Sequence, residues 1–496
     1  MAAALDDTLL DLTLDTAEDG GITFTHLFHR ISNKAPIKLS IQLVPHEPGW
    51  RGGLRYLAKE YPEYFDPVNE IAHELAGTAA YASSKVTAEQ LNPEKLKAMA
   101  FRTNWISSFD FPYMGLFLPP VSDDASWQRF TNANHAKNGT TSIRELAQYC
   151  KQMHDLGFHV LNYFNVTEFG AQMQNLLKGA KKDPLSTNWT DAAEYLLDHF
   201  PNAMLRKPDG GPYNTWGGGV AMNPGDPAYQ NHLLGQMRLH LRSFPYSDGF
   251  CIDRLDWLRF YDQNRDDQIS WFDDHMAESL IISWHELIAK LGPEVHRAGK
   301  VLFCNNHTKR IDLLNQIDGL YDEFAYYPAS LNTTSLLGIH RPVLGWTKDA
   351  TNLRPDPDMY FQRNLYLGVY PTAPFPGNDH SIAPDPWVDQ QYLAYGPLMD
   401  AMRGKRWVLS ADPISVVAGS AKANLFETTA GLVAPIVFGG ADEQATVELN
   451  DGNVKRAEVL HPGSSTWKEL KLSVIRAGQF QVTVPLVRGC AMLRLQ

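Results

Sequence analysis

The sequence has few cysteines and no long apolar run, and both shortages exclude classes of protein. Its four cysteines, among 496 residues, form no CxxC or Cys/His spacing typical of a zinc site or a redox pair. Cys251 and Cys304 lie within apolar runs, so we expect them to be reduced residues of the core. No stretch approaches ~18 uninterrupted apolar residues, the length that a membrane span needs, so no membrane span is predicted.

The sequence also has no cluster of basic residues. The net charge is −12 and no run of lysine or arginine exceeds a few residues. Phosphate binding needs a basic face, so nucleic acid is not expected as a partner. The first residues, MAAALDDTLLDLTLDT, show no basic segment followed by an apolar one, and we therefore expect a cytoplasmic protein. A processed secreted or periplasmic form and a homo-oligomer both stay open.

Several catalytic signatures are missing as well. There is no GxSxG elbow, no HExxH helix and no glycine-rich phosphate turn after an early strand. What the sequence does have is an ordinary globular composition, with 44% hydrophobic residues, and many aromatic residues, including 12 tryptophans and 20 tyrosines. Flat aromatic rings fill cores and also stack on the apolar faces of sugars.

Hydrophobic patterning divides the chain into three parts. Residues 1–97 alternate with period two before turning helical, which predicts a β-rich segment with linker helices. Residues 98–410 alternate apolar runs with amphipathic helices, and residues 411–496 return to period two. We therefore predict a (β/α)8 barrel followed by a C-terminal antiparallel β-sandwich. A doubly wound open sheet is the competing interpretation, but it would require the missing phosphate turn.

Eight strand candidates define the predicted barrel, with a long excursion at 170–218. They are FRTNWISSF (from 101), HVLNYFNV (159), GVAMNP (219), GFCIDRL (249), VLFCNNH (301), GLYDEFAYY (319), RPVLGWTK (341) and LYLGVYPTAPF (365). Barrel enzymes carry their chemistry at the carboxyl ends of the strands. Polar or aromatic residues follow nearly every one of these runs, and such a ring suits a neutral polyol ligand.

The segment DGFCIDRLDW, residues 248–257, is the most informative of these ends. Asp253 comes directly after the apolar run that ends at Ile252, and it has no helix to cap. Ionised carboxylates are costly to bury and are rarely placed beside apolar runs without a partner or a task. Asp253 is therefore predicted to be functional, whereas Asp226, which precedes a proline and a helical run, is predicted to cap a helix.

Residues 220–257, VAMNPGDPAYQNHLLGQMRLHLRSFPYSDGFCIDRLDW, resemble the strand 3 to strand 4 unit of glycoside hydrolase clan D, families 27, 31 and 36. Asn223-Pro224 and Gly249–Asp253 match its motif, which also overlaps the GFxxD strand of α-amylases. The chain departs from the family 31 signature Asp-Met-Asn-Glu and has no clear Gly-Asp-Asn in strand 6, so a distant or separately classified family is the alternative. The resemblance implies hydrolysis of α-linked galactose-, glucose- or N-acetylgalactosamine-type glycosides, with Asp253 as the nucleophile.

The acid/base residue is expected after strand 6, in LYDEF. Asp322 and Glu323 are adjacent, so in a strand their side chains point to opposite faces and only one points inward. Glu323 has the longer reach and is preferred, while Asp322 matches the aspartate that clan D uses. Retaining enzymes place the two carboxyl groups about 5–5.5 Å apart, and inverting enzymes about 6.5–9.5 Å.

The other strand ends supply candidates for substrate binding. They are Trp105, Asp110, Asn165, Trp216, Asp256, Asn305, His307, Trp346, Asp379 and His380. The tryptophans would stack on sugar rings, and Asp256 would bind a hydroxyl or orient Arg254. No cofactor is predicted, although Asp253, Asp256 and His307 leave a bridging metal open. A non-catalytic carbohydrate-binding barrel and a metal-dependent sugar isomerase or lyase are the alternative functions.

Overall fold

The computed structural model describes most of the chain. The described residues are 2–3, 12–31, 41–82, 84, 91–111, 117–119, 122–129, 140–170, 195–215, 219–255, 261–306, 309–373, 385–450 and 454–496.

The described elements are numbered here in chain order. The strands are β1 Ala2–Ala3, β2 Leu12–Thr16, β3 Ile22–His26, β4 Ile41–Gln42, β5 Thr78–Ala82, β6 Phe101–Ile106, β7 Ser126–Gln128, β8 Thr140–Ser142, β9 His159–Asn165, β10 Glu168–Phe169, β11 Val220–Ala221, β12 Gly249–Leu255, β13 Tyr261–Asp262, β14 Ser270–Phe272, β15 His275–Ser279, β16 Val301–Asn306, β17 Gly319–Asp322, β18 Val343–Gly345, β19 Tyr370–Pro371, β20 Arg406–Trp407, β21 Ile414–Ala418, β22 Lys422–Ala423, β23 Phe426–Thr428, β24 Gly431–Val437, β25 Gln444–Leu449, β26 Ala457–Leu460, β27 Lys468–Leu470, β28 Leu472–Arg476, β29 Gln479–Pro485 and β30 Ala491–Leu495. The α-helices are α1 Trp50–Glu60, α2 Pro93–Ala98, α3 Ile143–Asp155, α4 Pro227–Ser243, α5 Leu280–Arg297, α6 Pro328–Leu337, α7 Pro357–Leu367 and α8 Pro386–Ala401.

Eight parallel strands form the central barrel, in the order β5-β6-β9-β12-β16-β17-β18-β19. The sheet closes on itself through a parallel bridge between Ala79 and Thr372, where the Ala373 amide donates to the Ala79 carbonyl over 2.7 Å. Helices follow the strands, except that one 3-10 turn, Asp312–Leu314, lies between β16 and β17. The prediction of a (β/α)8 barrel is confirmed.

The prediction from the sequence is wrong for two of the barrel strands. The first strand is β5, which lies before residue 98, where the barrel was expected to begin. The predicted third strand, GVAMNP, contributes only β11, which pairs antiparallel with β10 outside the barrel sheet. A short apolar run does not show which strand it will pair with, and three of the five residues of β5, TAAYA, are alanines, which are depleted in strands. The predicted fourth and sixth strands, β12 and β17, keep those positions.

Two helices begin at residues whose side chains cap the first turn. Asp226 caps α4, because its Oδ1 accepts hydrogen bonds of 3.1 Å from the amides of Ala228 and Tyr229, as its position before a proline predicted. Ser142 caps α3 by accepting from the Glu145 amide. The buried residues of α3 recur at three- to four-residue spacing, so this helix covers the outside of the barrel sheet with its apolar face.

The strand β12 is regular at its start and irregular at its carboxyl end. Gly249 has φ 148°, and a Cβ there would lie 1.9 Å from the Val301 carbonyl oxygen of β16, so only glycine fits. Phe250, Cys251 and Ile252 are buried in the core. The register then shifts before Leu255, and Arg254 adopts a left-handed φ of 54°. The bulge bends β12 at Asp253 and Arg254, the charged residues that follow the buried run.

Two antiparallel sheets follow the barrel and enclose a second core. One has the order β20-β23-β24-β30-β26-β27, with β22 also paired to β24, and the other has the order β21-β25-β29-β28. Apolar residues of both sheets, including Ile436, Val447, Val482 and Leu493, form that core. The prediction of a C-terminal antiparallel β-sandwich is confirmed.

Before the barrel, β2 and β3 form a hairpin, and β1 pairs with β4. Past the hairpin, His29 forms a bridge with Ser270 of a three-stranded sheet, β13-β15-β14, that is inserted between β12 and α5. All four cysteines are buried and none forms a disulfide bond, which confirms the expectation for Cys251 and Cys304. Among the described helices, none combines the length and apolar character that crossing a bilayer requires.

Candidate active site

Three neighbouring strands, β12, β16 and β17, bring the central residues of the site together at their carboxyl ends. Asn305, near the end of β16, donates through Nδ2 to Asp253 Oδ1 over 2.9 Å and to Glu323 Oε2 over 3.0 Å. Two oxygens at these distances from one nitrogen are less than 6 Å apart. Both carboxylates are partly exposed. The structure therefore places Asp253, Asn305 and Glu323 in one cluster at the mouth of the barrel.

Tyr163 of β9 completes the hydrogen bonding of Asp253. Its hydroxyl donates to Asp253 Oδ2 over 2.8 Å, so each oxygen of that carboxylate accepts from a fixed donor. Burial and the negative charge of Asp253 raise the pKa of Tyr163 well above its usual value. The phenol therefore remains protonated at neutral pH and keeps its donor hydrogen. Both Asp253 oxygens act as acceptors, and this pattern suits an ionised carboxylate.

Aromatic rings form the floor beneath the carboxylates. Trp105 stacks on Tyr163 with centroids 5.9 Å apart, and its ring also lies 4.7 Å from Tyr81 and 4.8 Å from Tyr321. With 3% of its surface exposed, Trp105 fills the barrel interior and offers no open face for stacking on a sugar. Trp346, close to Tyr81 and Tyr321, is only partly buried and lies nearer the mouth.

Asp322 lies apart from this cluster. Its fully buried carboxylate accepts from the hydroxyls of Ser330 (2.9 Å) and Thr334 (2.8 Å) on α6, and from the Phe324 amide. The Lys309 ammonium lies 3.0 Å away and compensates its charge. These contacts join the end of β17 to α6 on the outside of the barrel sheet.

Two predicted substrate-binding residues lie behind the site surface. Asp110 is fully buried, pairs with Arg129 at 2.6 Å and accepts from the Ser84 amide, so it holds loops together. Asn165, also fully buried, donates to the Tyr163 hydroxyl over 2.9 Å. Neither side chain is exposed to a ligand at the barrel mouth.

Five of the residues proposed from the sequence lie outside the described part of the chain: Trp216, Asp256, His307, Asp379 and His380. Within the described ranges, no three histidine, cysteine, aspartate or glutamate side chains lie close enough together to hold a metal ion.

Tyr163 is the site residue that the sequence reasoning missed. The run HVLNYFNV carried a usable signal, because Tyr163 and Asn165 are two residues apart and therefore share a face of the strand. With Asn165 expected at the site, Tyr163 should have been expected beside it.

Comparisons with known proteins find similarity only in structure. No protein-family model matches the sequence, and no curated protein matches it. A cycloisomaltooligosaccharide glucanotransferase of Paenibacillus sp., solved with cycloisomaltoheptaose, aligns with a TM-score of 0.57 and 8% identity over 85% of each chain. A cycloalternan-degrading enzyme of Trueperella pyogenes aligns at 0.50 with 13% identity, over 90% of this chain and 65% of its own. A maltogenic α-amylase of Thermotoga neapolitana aligns at 0.48 with 11% identity, over 85% and 99%.

At these identities the first two alignments show a shared barrel fold and nothing finer. They give no support to membership in clan D, nor to the galactose or N-acetylgalactosamine specificity that this resemblance implied.

Proposed function

We propose that this protein is a retaining glycosidase that acts on α-linked glucose chains, with Asp253 as the nucleophile and Glu323 as the acid/base. One observation carries the proposal: Asn305 Nδ2 donates to both carboxylates, which holds their nearest oxygens less than 6 Å apart. This spacing fits the ~5–5.5 Å of retaining glycosidases better than the ~6.5–9.5 Å that leaves room for a water in inverting ones.

The two carboxyl groups take different roles because their contacts differ. Asp253 accepts on both oxygens, from Asn305 and Tyr163, as an ionised nucleophile requires. It attacks the anomeric carbon while Glu323 gives its proton to the departing glycosidic oxygen. Glu323, now ionised, then takes a proton from the water that attacks the glycosyl ester and releases Asp253.

The contacts of Asp322 favour Glu323 for the proton transfers. Asp322 is fully buried, is paired with Lys309 and accepts hydrogen bonds from α6, so it cannot reach a glycosidic oxygen without breaking those bonds. We assign Asp322 to the support of the β17 end.

The choice of an α-linked glucan rests on the structural neighbours. The glucanotransferase was solved with a cyclic isomaltooligosaccharide, and the other enzyme is described as degrading cycloalternan. The partly exposed Trp346 supplies a ring for stacking on a sugar at the mouth of the barrel. We propose Trp216, Asp256, His307, Asp379 and His380 as further contacts to substrate hydroxyls and sugar rings.

The proposal is tested with a panel of p-nitrophenyl α- and β-glycosides, maltooligosaccharides and isomaltooligosaccharides. We expect turnover of α-glucosides or α-glucans, with the α-anomer formed first in proton NMR. A 5-fluoro-α-glucosyl fluoride should label the peptide that contains Asp253, detected by mass spectrometry of the digested protein.

Asp253→Asn keeps the size of the side chain and should lose several orders of magnitude in kcat. Asp209→Asn, at an exposed turn, is the matched control and should leave kcat unchanged. A β-anomer as first product would make Asp253 a general base instead. Turnover of β-glycosides alone, or an active Asp253→Asn variant, would reject the assignment.

A further inference from the structure

A buried polar chain lies behind Asp253, and its hydrogen bonds can be given a direction. Asn165 Oδ1 accepts from the backbone amide of Glu168 over 3.1 Å, and a backbone amide can only donate. This contact fixes the orientation of the Asn165 amide. Its two Nδ2 hydrogens then go to Glu168 Oε2 and to the Tyr163 oxygen, both over 2.9 Å.

The fixed amide determines what Tyr163 does. Because the Tyr163 oxygen accepts from Asn165, its one hydrogen is available to Asp253 Oδ2, 2.8 Å away. Asn305 donates to the other oxygen, Oδ1. Rotating the Asp253 carboxylate about its Cβ–Cγ bond would break both hydrogen bonds at once.

The chain of hydrogen-bonded side chains ends at Arg254, the residue next to Asp253. Glu168 is 4% exposed, and Nε of the partly buried Arg254 lies 3.1 Å from its Oε2, so the two charges compensate each other. Arg254 reaches Glu168 from a left-handed backbone with φ 54°, inside the bulge of β12. Thr167 Oγ1 donates to the Arg254 carbonyl over 3.1 Å and holds this turn. A non-glycine residue in this region is strained unless its surroundings hold it there.

We propose that the ring Asp253–Arg254–Glu168–Asn165–Tyr163 holds the nucleophile in its attacking orientation, and that Tyr163 is the positioning residue that contacts it. This inference rests on the proposed function. The Arg254–Glu168 ion pair fixes the bulge and the Asn165 amide together, so the backbone that carries Asp253 and the donor that orients its carboxylate are set by one buried unit.

Tyr163→Phe tests the inference, with Tyr370→Phe as the matched control. Tyr370 is a fully buried tyrosine of β19 in the same barrel, and its hydroxyl donates to the Met402 carbonyl over 2.7 Å, away from Asp253. Both variants lose one buried hydroxyl and should lower the melting temperature by similar amounts. Only Tyr163→Phe should lower kcat, by about ten- to a hundredfold, the range for a hydrogen bond to a charged group.

The comparison of kcat with the Michaelis constant separates positioning from simple loss of structure. In Tyr163→Phe kcat should fall while KM changes little, since Tyr163 lies beneath the site. In Tyr370→Phe neither kcat nor KM should move.

A second variant tests whether the ring acts as one unit. Glu168→Gln keeps the shape of the side chain but removes the negative charge that lies 3.1 Å from Arg254 Nε, and it should lower kcat on its own. Combined with Tyr163→Phe, its effect should be much less than multiplicative, because both act on the same carboxylate. Multiplicative effects would overturn the ring as a unit.

The failure of this inference is distinguishable from failure of the proposed function. If wild-type protein turns over α-glucosides and Asp253→Asn abolishes turnover, but Tyr163→Phe behaves like Tyr370→Phe, the positioning role is overturned and the nucleophile stands. If Asp253→Asn is as active as wild type, both are overturned.

Discussion

Asp322 and Glu323 are consecutive residues whose carboxylates lie on opposite sides of the barrel wall. Asp322 faces outward to Ser330 and Thr334 of α6, while Glu323 shares the Asn305 amide with Asp253. The alternation of a strand produces this division, since neighbouring side chains point to opposite faces. One position supports the fold, and the other lies at the candidate site.

Glu323→Ala and Asp322→Ala should therefore fail in different ways. Without the Glu323 proton, substrates with poor leaving groups should slow far more than activated aryl glycosides, which depart unaided. Added azide should restore turnover of Glu323→Ala, giving a glycosyl azide of the α-configuration.

Asp322→Ala serves as the contrast in that experiment. It leaves the Lys309 ammonium without its counter-charge in a buried site, so it should lower the melting temperature and show no azide rescue. Rescue at Asp322 and none at Glu323 would transfer the acid/base role to the aspartate.

Asn305→Ala should lower kcat by about ten- to a hundredfold, because both carboxylates lose the donor that they share. The matched control is Asn306→Ala. Asn306 is fully buried, and its Oδ1 accepts from the Lys309 amide over 3.0 Å, so its loss should lower stability and leave kcat close to wild type. Steady-state kinetics with thermal unfolding of both variants provides the check. Equal losses of kcat would show that Asn305 has no special role.

Gly249→Ala should prevent the start of β12 from pairing with β16. A Cβ at this position would lie 1.9 Å from the Val301 carbonyl oxygen, and φ 148° already disfavours alanine. Gly299 also has a positive φ, 71°, but a Cβ there meets nothing within 4 Å. Gly299→Ala should lower the free energy of unfolding only by the left-handed strain, about 1–2 kcal/mol. Gly249→Ala should lower it clearly more, as measured by unfolding in urea. Equal losses of the free energy of unfolding in the two variants would mean that β12 and β16 separate easily at this point.

Lys405 should make the stability of the protein depend on pH. Burial, with a smaller effect of Arg406, lowers the pKa of its ammonium from 10.5 to about 7. It donates to the Gly338 carbonyl at the end of α6. Between pH 7 and 10.5 the unfolded chain binds a proton that the folded protein does not, so Lys405 makes stability rise with pH there. The rise is at most about 1.4 kcal/mol per pH unit. Below pH 7 Lys405 is protonated in both the folded and the unfolded protein, so the free energy that its burial costs no longer changes with pH.

The measurement is the free energy of unfolding in urea at several values between pH 6.5 and 9. Lys405→Met should have a smaller slope than wild type, while Lys422→Met, at an exposed position of β22, should keep the wild-type slope. An unchanged slope in Lys405→Met would show that the amine is solvated in the folded protein.

Patterns within the sequence were enough to predict the barrel and the β-sandwich, and to place Asp253 and Glu323 at the ends of barrel strands. Alternation and helical periodicity record which face of an element is buried, so they predicted the barrel, the sandwich and the cap at Asp226. A charged residue directly after a buried run, as at Asp253, departs from that pattern, and the departure marks a candidate site. These are local properties, and the sequence carries them in full.

The pairing of strands and the contacts of the site were decided only by the tertiary structure. Residues 78–82 form the first barrel strand and Val220–Ala221 lies outside the sheet, because strand pairing depends on the closure of the whole barrel. Tyr163 and Asp253 are 90 residues apart, and Asn305 and Glu323 are 18 apart. Their hydrogen bonds exist because neighbouring parallel strands align their ends, a relation in space that neither residue's own surroundings in the sequence record.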